Sequence, residues 1–129
     1  MENEIFTLTV IIPSIGRDTI KDLIVSILDD ANTSGINVKI LIALNGPQVP
    51  EIPEQFVQVI PLSTDGIGFS AAINRVNDKV VTEYVSIIAD DDLWLRGKIK
   101  HDLRLLMNAD LVLPSVDFSD NLGKMFRPR

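Results

Sequence analysis

The first part of the chain alternates between continuous apolar runs and apolar residues spaced as on a helix. Two runs rich in β-branched residues, Phe6–Ile12 and Val38–Leu44, predict strands that are covered on both faces. Between them, from Ile20 to Ala31, apolar residues recur every three or four positions, which predicts a helix with one buried face. Gly35 stands where the end of that helix is expected.

The remainder of the chain repeats this alternation. The pattern predicts a strand at Phe56–Leu62, a helix at Phe69–Asn77, a strand at Tyr84–Ala89, a helix at Leu95–Met107 with Met107 facing inward, and a strand at Leu111–Leu113. Pro61 lacks a backbone N–H, so the third strand is expected at a sheet edge. Residues 117–129 give no assignable pattern. The alternation predicts an α/β fold, a three-layer αβα sandwich with a mostly parallel sheet.

Composition narrows the class of protein. The 129 residues are expected to form a single domain, with 46% hydrophobic and 23% charged residues as in ordinary globular proteins. A net charge of −6 argues against a nucleic-acid partner, and the lack of cysteine excludes disulfides and thiolate metal sites. No run approaches the roughly 18 apolar residues of a transmembrane segment. The acidic amino terminus lacks the basic start of a signal peptide, so we expect a cytoplasmic protein.

Three consecutive aspartates, Asp90, Asp91 and Asp92, follow the fourth predicted strand and precede Leu93 and Trp94. Adjacent carboxylates repel one another unless a cation or hydrogen-bond donors neutralise them. A hard divalent cation accepts carboxylate oxygens and keeps positions open for phosphates. The exit of a strand is also where open α/β sheets bind ligands. The alternative is a solvated acidic turn that caps the next helix. The triplet alone is compatible with both.

Three loops should meet at the carboxyl ends of the strands, namely residues 13–17, 45–47 and 90–93. The helix that starts after Gly66 and Gly68 would lie beside them, and these glycines let the backbone approach a ligand closely. The first strand is not followed by Gly-x-Gly-x-x-Gly, and the chain has no Gly-Lys-Ser/Thr element. A Rossmann dinucleotide site is therefore disfavoured and a P-loop is excluded.

Three segments together resemble the nucleotide-sugar-binding half of family-two glycosyltransferases, which have the GT-A fold. They are Thr9–Ser14, Gly68–Asn74, which resembles the family's glycine, alanine and asparagine helix, and Tyr84–Trp94, which resembles the strand that ends in the Asp-x-Asp (DxD) motif. Their order and spacing fit the family over nearly the whole chain. The resemblance implies a glycosyltransferase that takes a nucleoside-diphosphate sugar, with a UDP-sugar as the first expectation, and transfers its sugar to an unknown glycan or other acceptor.

The resemblance also implies roles for individual residues. Asp91 would hold Mn²⁺ or Mg²⁺ against the donor diphosphate, Asp92 would complete the Asp-x-Asp spacing, and Asp90 would hydrogen-bond the ribose. The other residues implied in nucleotide-sugar binding are Pro13, Ser14, Arg17, Asn45, Gly68 and Asn74. Pro13 and Ser14 would border the base and ribose. Arg17 would reach the base or a phosphate, or else stand in the turn as an exposed arginine.

Two residues depart from the family pattern. Asn45 stands where many members have an acidic residue that reads the base, and its amide can both donate and accept. Ile73 precedes the helix asparagine where many members have arginine, and Arg75 follows that asparagine instead.

The acceptor half of the family is not evident in this sequence. Family catalytic domains continue into an acceptor-binding half that carries the catalytic base, whereas this chain ends at Arg129, so the base is unassigned. Alone, these residues are expected to transfer little sugar. The alternative function is a non-catalytic nucleotide-sugar-binding or assembly module. A receiver-like phosphoacceptor domain is a third option, but it requires an acid pair where Ser14 stands.

Overall fold

The computed structural model describes residues 6–46, 50–52, 58–63, 66–112, 118–119 and 125–126. The chain divides into two compact units, residues 1–99 and residues 100–129. The elements are β1 (Leu8–Ser14), α1 (Ile20–Ser34), β2 (Val38–Leu44), β3 (Val59–Ser63), α2 (Phe69–Asn77), β4 (Tyr84–Ile87), α3 (Lys98–Leu106), β5 (Phe118–Ser119) and β6 (Met125–Phe126). Within the described residues, no helix is long and apolar enough to cross a membrane.

The first unit is built on a sheet of four parallel strands in the order β3-β2-β1-β4. Because all four strands run the same way, their carboxyl ends meet at one edge, which we call the carboxyl edge. β3 lies at the end of this order, so the prediction that Pro61 marks an edge strand is confirmed. The predicted α/β fold with a mostly parallel sheet is confirmed as well.

Helices cover both faces of the sheet. On one face, Ile11, Leu41 and Ala43 pack against Ala72 and Val76 of α2. Because side chains alternate along a strand, the neighbouring residues point to the other face, and those of β1 and β2 are fully buried (Val10, Ile12, Ile40, Ile42). α1 contacts β2 and buries the predicted apolar stripe except for the half-buried Leu28, so it supplies the second layer. The predicted αβα layering is confirmed.

β1 differs from its predicted bounds, since it starts at Leu8 and continues through Pro13 to Ser14. The carbonyl of Ile11 accepts the N–H of Ile88, so the backbone of Ile11 points toward β4. Pro13 lies two residues further along and therefore points to the same side, beyond the last β1–β4 pair at Ile11 and Ile87. Its missing N–H costs the sheet no hydrogen bond, which is why the proline does not stop the strand.

The other differences lie at element ends. β4 ends at Ile87 rather than at residue 89, and β3 runs from Val59 to Ser63, while residues 53–57 of its predicted span lie outside the described residues. α3 starts at Lys98 instead of Leu95, because Gly97 has a φ of 94°, outside the helical range.

Two predictions for the second unit were wrong. Met107 was expected to face inward, but it is 77% exposed. Leu111 and Val112 are not in a strand, while Leu113 lies outside the described residues. Among its described residues this unit contains, besides most of α3, a short antiparallel pair of strands in which Phe118 is in register with Phe126.

Candidate functional site

A chain of hydrogen bonds joins the loops at the carboxyl edge. Ser14 Oγ donates to Asp90 Oδ2 at 2.8 Å and accepts the N–H of Gly16 at 2.9 Å. The N–H of Asn45 donates to the carbonyl of Ser14 at 2.8 Å, and Asn45 Oδ1 accepts the N–H of Gly68 at 2.9 Å. The loops after β1, β2 and β4 and the start of α2 are thus brought together, as the parallel topology predicted.

The contact between Ser14 and Asp90 is buried. Ser14 is fully buried and Asp90 is only 6% exposed. The single hydroxyl proton of Ser14 is used on the Asp90 carboxylate, and the hydroxyl oxygen already accepts the N–H of Gly16. Ser14 therefore holds Asp90 in place, and Asp90 is the member of the pair that retains some exposure to solvent.

Asp91 and Asp92 stand on the surface beside this pair. Asp91 is paired with Arg17, whose Nη1 lies 3.6 Å from Oδ2 of Asp91, and both side chains are at least half exposed. The N–H of Asp92 donates to the carbonyl of Ala89 at 3.2 Å, which closes a turn. Partial burial, with the negative charges of Asp91 and Asp90 as smaller causes, raises the pKa of Asp92 above its usual value. We call residues 90–92 the acidic turn.

The acidic turn does not cap the next helix. α3 begins at Lys98, six residues after Asp92, so the capping alternative is contradicted. The carboxylate that accepts N–H groups near the start of α3 is Asp30 of α1, which binds the N–H of Gly97 at 2.7 Å and that of Ile99 at 3.0 Å. The capping role is therefore absent, while Asp91 and Asp92 remain exposed carboxylates in a turn beside the buried Asp90.

The donor set of the acidic turn fits one mode of metal binding. Among the described residues, no group of three or more His, Cys, Asp or Glu side chains is arranged to hold a metal ion. A complete protein cage is thus not formed there. Mg²⁺ in nucleotide sites instead uses one or two carboxylates together with substrate phosphates. The exposed carboxylates of Asp91 and Asp92 match that requirement in number and in chemistry.

The start of α2 forms another wall of the site. Gly68 precedes the helix with a φ of 96°, a conformation that a side chain would strain, and its carbonyl accepts the N–H of Ala72 at 2.8 Å. Asn74 is exposed on α2 and is not part of the hydrogen-bonded chain above. Pro13 is half-buried near the end of β1. Of the predicted residues, Ser14, Asn45, Gly68 and Asp90 are joined by the hydrogen-bonded chain, Arg17 and Asp91 form a separate exposed ion pair, and Pro13 and Asn74 belong to neither group.

Asp30 is a buried acid that the sequence analysis missed. It is 1% exposed, and its Oδ2 also accepts the indole N–H of Trp94 at 2.8 Å. Burial by itself raises the pKa of Asp30, but the hydrogen bonds from Gly97, Ile99 and Trp94 outweigh it, so that the pKa lies below its usual value. A signal was present in the sequence, because Asp30 lies three residues after Ile27, on the buried face of α1.

Comparison with known proteins gave one match. The sequence model of the family described as Glycosyl transferase family 2 matches residues 9–128, a range that contains the hydrogen-bonded chain, the acidic turn and Asp30. The comparisons with curated proteins and with solved structures returned no match.

Proposed function

The chain belongs to glycosyl transferase family 2, whose members transfer glycosyl groups, and we propose that it binds a nucleoside-diphosphate sugar at the carboxyl edge together with Mn²⁺ or Mg²⁺. A UDP-sugar is the first donor to test, and the acceptor is a glycan or another hydroxyl-bearing molecule. A divalent cation, when bound, would neutralise the diphosphate as it leaves. The catalytic base is not assigned to any residue.

This proposal rests on the different surroundings of the three neighbouring carboxylates. Asp90 is buried and receives the hydroxyl of Ser14. Asp91 and Asp92 are exposed at the same edge, and the pKa of Asp92 is raised by partial burial and then by its acidic neighbours. A cation would relieve that repulsion. We therefore assign the metal to Asp91 and Asp92, and the ribose contact to Asp90.

Arg17 and Asn45 take roles that follow from their contacts. The exposed pair of Arg17 and Asp91 is weak, so a cation that takes the Asp91 carboxylate would free Arg17 to bind a donor phosphate. The acceptor oxygen of Asn45 is engaged with Gly68, which leaves the amide NH₂ to contact a base. Asn45 would thereby also set the position of α2. Pro13 and Asn74 stay proposed donor contacts.

Calorimetric titration of UDP with and without Mn²⁺ tests the proposal. We expect Mn²⁺ to strengthen UDP binding by about tenfold or more, equivalent to about 1.4 kcal/mol or more, and Asp91→Ala to remove most of that gain. Asp78→Ala, which removes an exposed carboxylate at the far end of α2, is the matched control and should keep the gain. Equal affinities of the parent protein with and without Mn²⁺ would contradict the metal assignment.

Incubation with a panel of UDP- and GDP-sugars and simple sugar acceptors addresses the second half of the proposal. Glycosylated product supports transfer at this site. Donor binding without any product under all conditions favours the alternative, a module that binds nucleotide sugars without catalysis.

A further inference from the structure

We propose that Asp30 is a positioning residue for the acidic turn, because it clamps the segment that follows the turn onto α1. The inference rests on the proposed function, since it assigns to the metal-binding turn a support that lies on a different element. We call Asp30 with three of its donors, Trp94, Gly97 and Ile99, the Asp30 clamp; Ser34 Oγ, on α1 itself, is a further donor at 3.4 Å.

The clamp begins two residues after Asp92. Trp94 is buried, and both its backbone and its ring are anchored on α1: the N–H donates to Ser26 Oγ at 3.1 Å, and the indole N–H donates to Asp30 Oδ2 at 2.8 Å. Ser26 Oγ in turn donates to the carbonyl of Leu23 at 2.7 Å, so its lone pairs face Trp94. The position of Trp94 is therefore fixed by two separate hydrogen bonds.

The same carboxylate holds the far end of the segment. The N–H of Gly97 donates to Asp30 Oδ1 at 2.7 Å and that of Ile99 to Oδ2 at 3.0 Å. Residues 94–99 thus close around one buried anion, and charge-assisted hydrogen bonds of this kind are stronger than those between neutral groups. The segment has little freedom to move while Asp30 is charged and in place.

The other end of the acidic turn is held independently. The N–H of Ile88 donates to the carbonyl of Ile11 at 3.2 Å, and Asp90 is bound by Ser14. Asp91 and Asp92 consequently lie between two fixed points, the sheet on one side and the Asp30 clamp on the other. Loss of Asp30 would release one end only. Metal-dependent contacts of Asp91 and Asp92 should suffer, whereas contacts through Asp90 should not.

The decisive variant is Asp30→Asn, which keeps the size of the side chain but replaces one acceptor oxygen by an NH₂ group that faces N–H donors. Amide hydrogen exchange measured by NMR, without ligand, should become about tenfold faster at Asp92, whose N–H is bonded to Ala89, and stay unchanged in β1 and β2. The gain in UDP affinity that Mn²⁺ provides should fall about tenfold, while the affinity without metal stays within about twofold of the parent.

Two controls separate positioning from general destabilisation. Asp29→Asn removes the neighbouring exposed carboxylate, which binds Arg96, and should leave both measurements within about twofold of the parent. Val38→Ala opens a small cavity at the opposite end of the sheet, and lowers stability without contacting the turn. Faster exchange at Asp92 in Val38→Ala, as large as that in Asp30→Asn, would overturn the inference.

A second variant keeps the test decisive if Asp30→Asn does not fold. Trp94→Phe keeps an aromatic side chain, although a smaller one, and removes the indole donor, so it should produce the same changes with a smaller magnitude. Unchanged exchange at Asp92 in the folded variants would overturn the inference. The exchange measurement uses no ligand. It therefore tests the clamp even if Mn²⁺ has no effect on UDP binding by the parent protein, a result that would contradict the proposed function.

Discussion

The molecule contains two acidic regions that differ in how their carboxylates are satisfied. Asp30 is almost fully buried, yet backbone and indole N–H groups lower its pKa. Asp92 is more exposed, yet burial and two neighbouring carboxylates raise its pKa. The carboxylate that is deeper in the protein is therefore the one whose charge the protein stabilises better.

The difference distinguishes a carboxylate that supports the fold from carboxylates that are proposed to bind a ligand. An acid surrounded by donors has no need of a further partner and works as a fixed point in the fold. An acid crowded by like charges is left with a deficit that a cation can remove. Judged by burial alone, Asp30 would be expected to have the less stabilised charge, which is the reverse of what its hydrogen bonds produce. Counting the donors that face each carboxylate assigns Asp30 to the scaffold and supports the proposal that the acidic turn binds a ligand.

The largest expected effect comes from Asp30→Ala. The substitution leaves the indole of Trp94 and the N–H groups of Gly97 and Ile99 without their acceptor, and buried unsatisfied donors cost about 1–3 kcal/mol each. We expect the free energy of unfolding to fall by about 3–5 kcal/mol, measured by urea denaturation. Asp29→Ala, the exposed neighbour paired with Arg96, should cost less than about 1 kcal/mol. Similar losses in both variants would remove the distinction between the two acids.

A smaller loss is expected for Ser14→Ala, about 1–3 kcal/mol, because buried Asp90 loses its hydroxyl donor. A double-mutant cycle sharpens the comparison. In the background of Asp90→Ala the same serine substitution should cost clearly less, since no carboxylate is left to be stranded. Strictly additive losses would show that Ser14 acts on something other than Asp90.

The smallest effect is a gain in stability. Asp92→Asn removes one of three like charges and should stabilise the metal-free protein by about 0.5 kcal/mol near neutral pH, where solvent screens an exposed carboxylate. Because folding raises the pKa of Asp92, the parent is penalised only once this group ionises. The stability advantage of Asp92→Asn should therefore be absent below the ordinary aspartate pKa. It should grow as the pH rises through the pKa of Asp92 in the folded protein.

Asp30 should show the opposite dependence on pH. Its pKa is lowered by folding, so its stabilising contribution is complete above the unfolded pKa and is lost as pH falls through the folded value. Thermal melts of the parent, Asp92→Asn and Asp30→Asn across the acid range distinguish the two opposite pH dependences of stability. A lower melting temperature of Asp92→Asn at neutral pH would mean that protein donors satisfy Asp92.

Much of the fold was predictable because local signals mark its elements. The predicted bounds of β2 and α2 agree with the structure, since Asn45-Gly46 ends the first and Gly68 opens the second. β1 was misjudged because the effect of Pro13 depends on which neighbour its backbone faces, which no local pattern records.

The location of the site was predictable from the sequence, but its hydrogen-bond contacts were not. Parallel strands bring their carboxyl ends together, so the meeting of Ser14, Asn45 and Asp90 followed from topology. Apart from Ser34 on the same helix, the donors of Asp30 lie 64 to 69 residues away along the chain, beyond the reach of any helical or strand period. An acid on a buried helical face was the only local sign of them.

The burial of Trp94 has a practical consequence. It is the single tryptophan of the chain, its indole is bonded to Asp30, and the ammonium of Lys98 lies 4.8 Å from the ring centre. Tryptophan emission responds to nearby charge and to water. The protein thus carries an intrinsic fluorescent probe two residues from the acidic turn, so the proposed binding of a cation or nucleotide can be tested by fluorescence without any label.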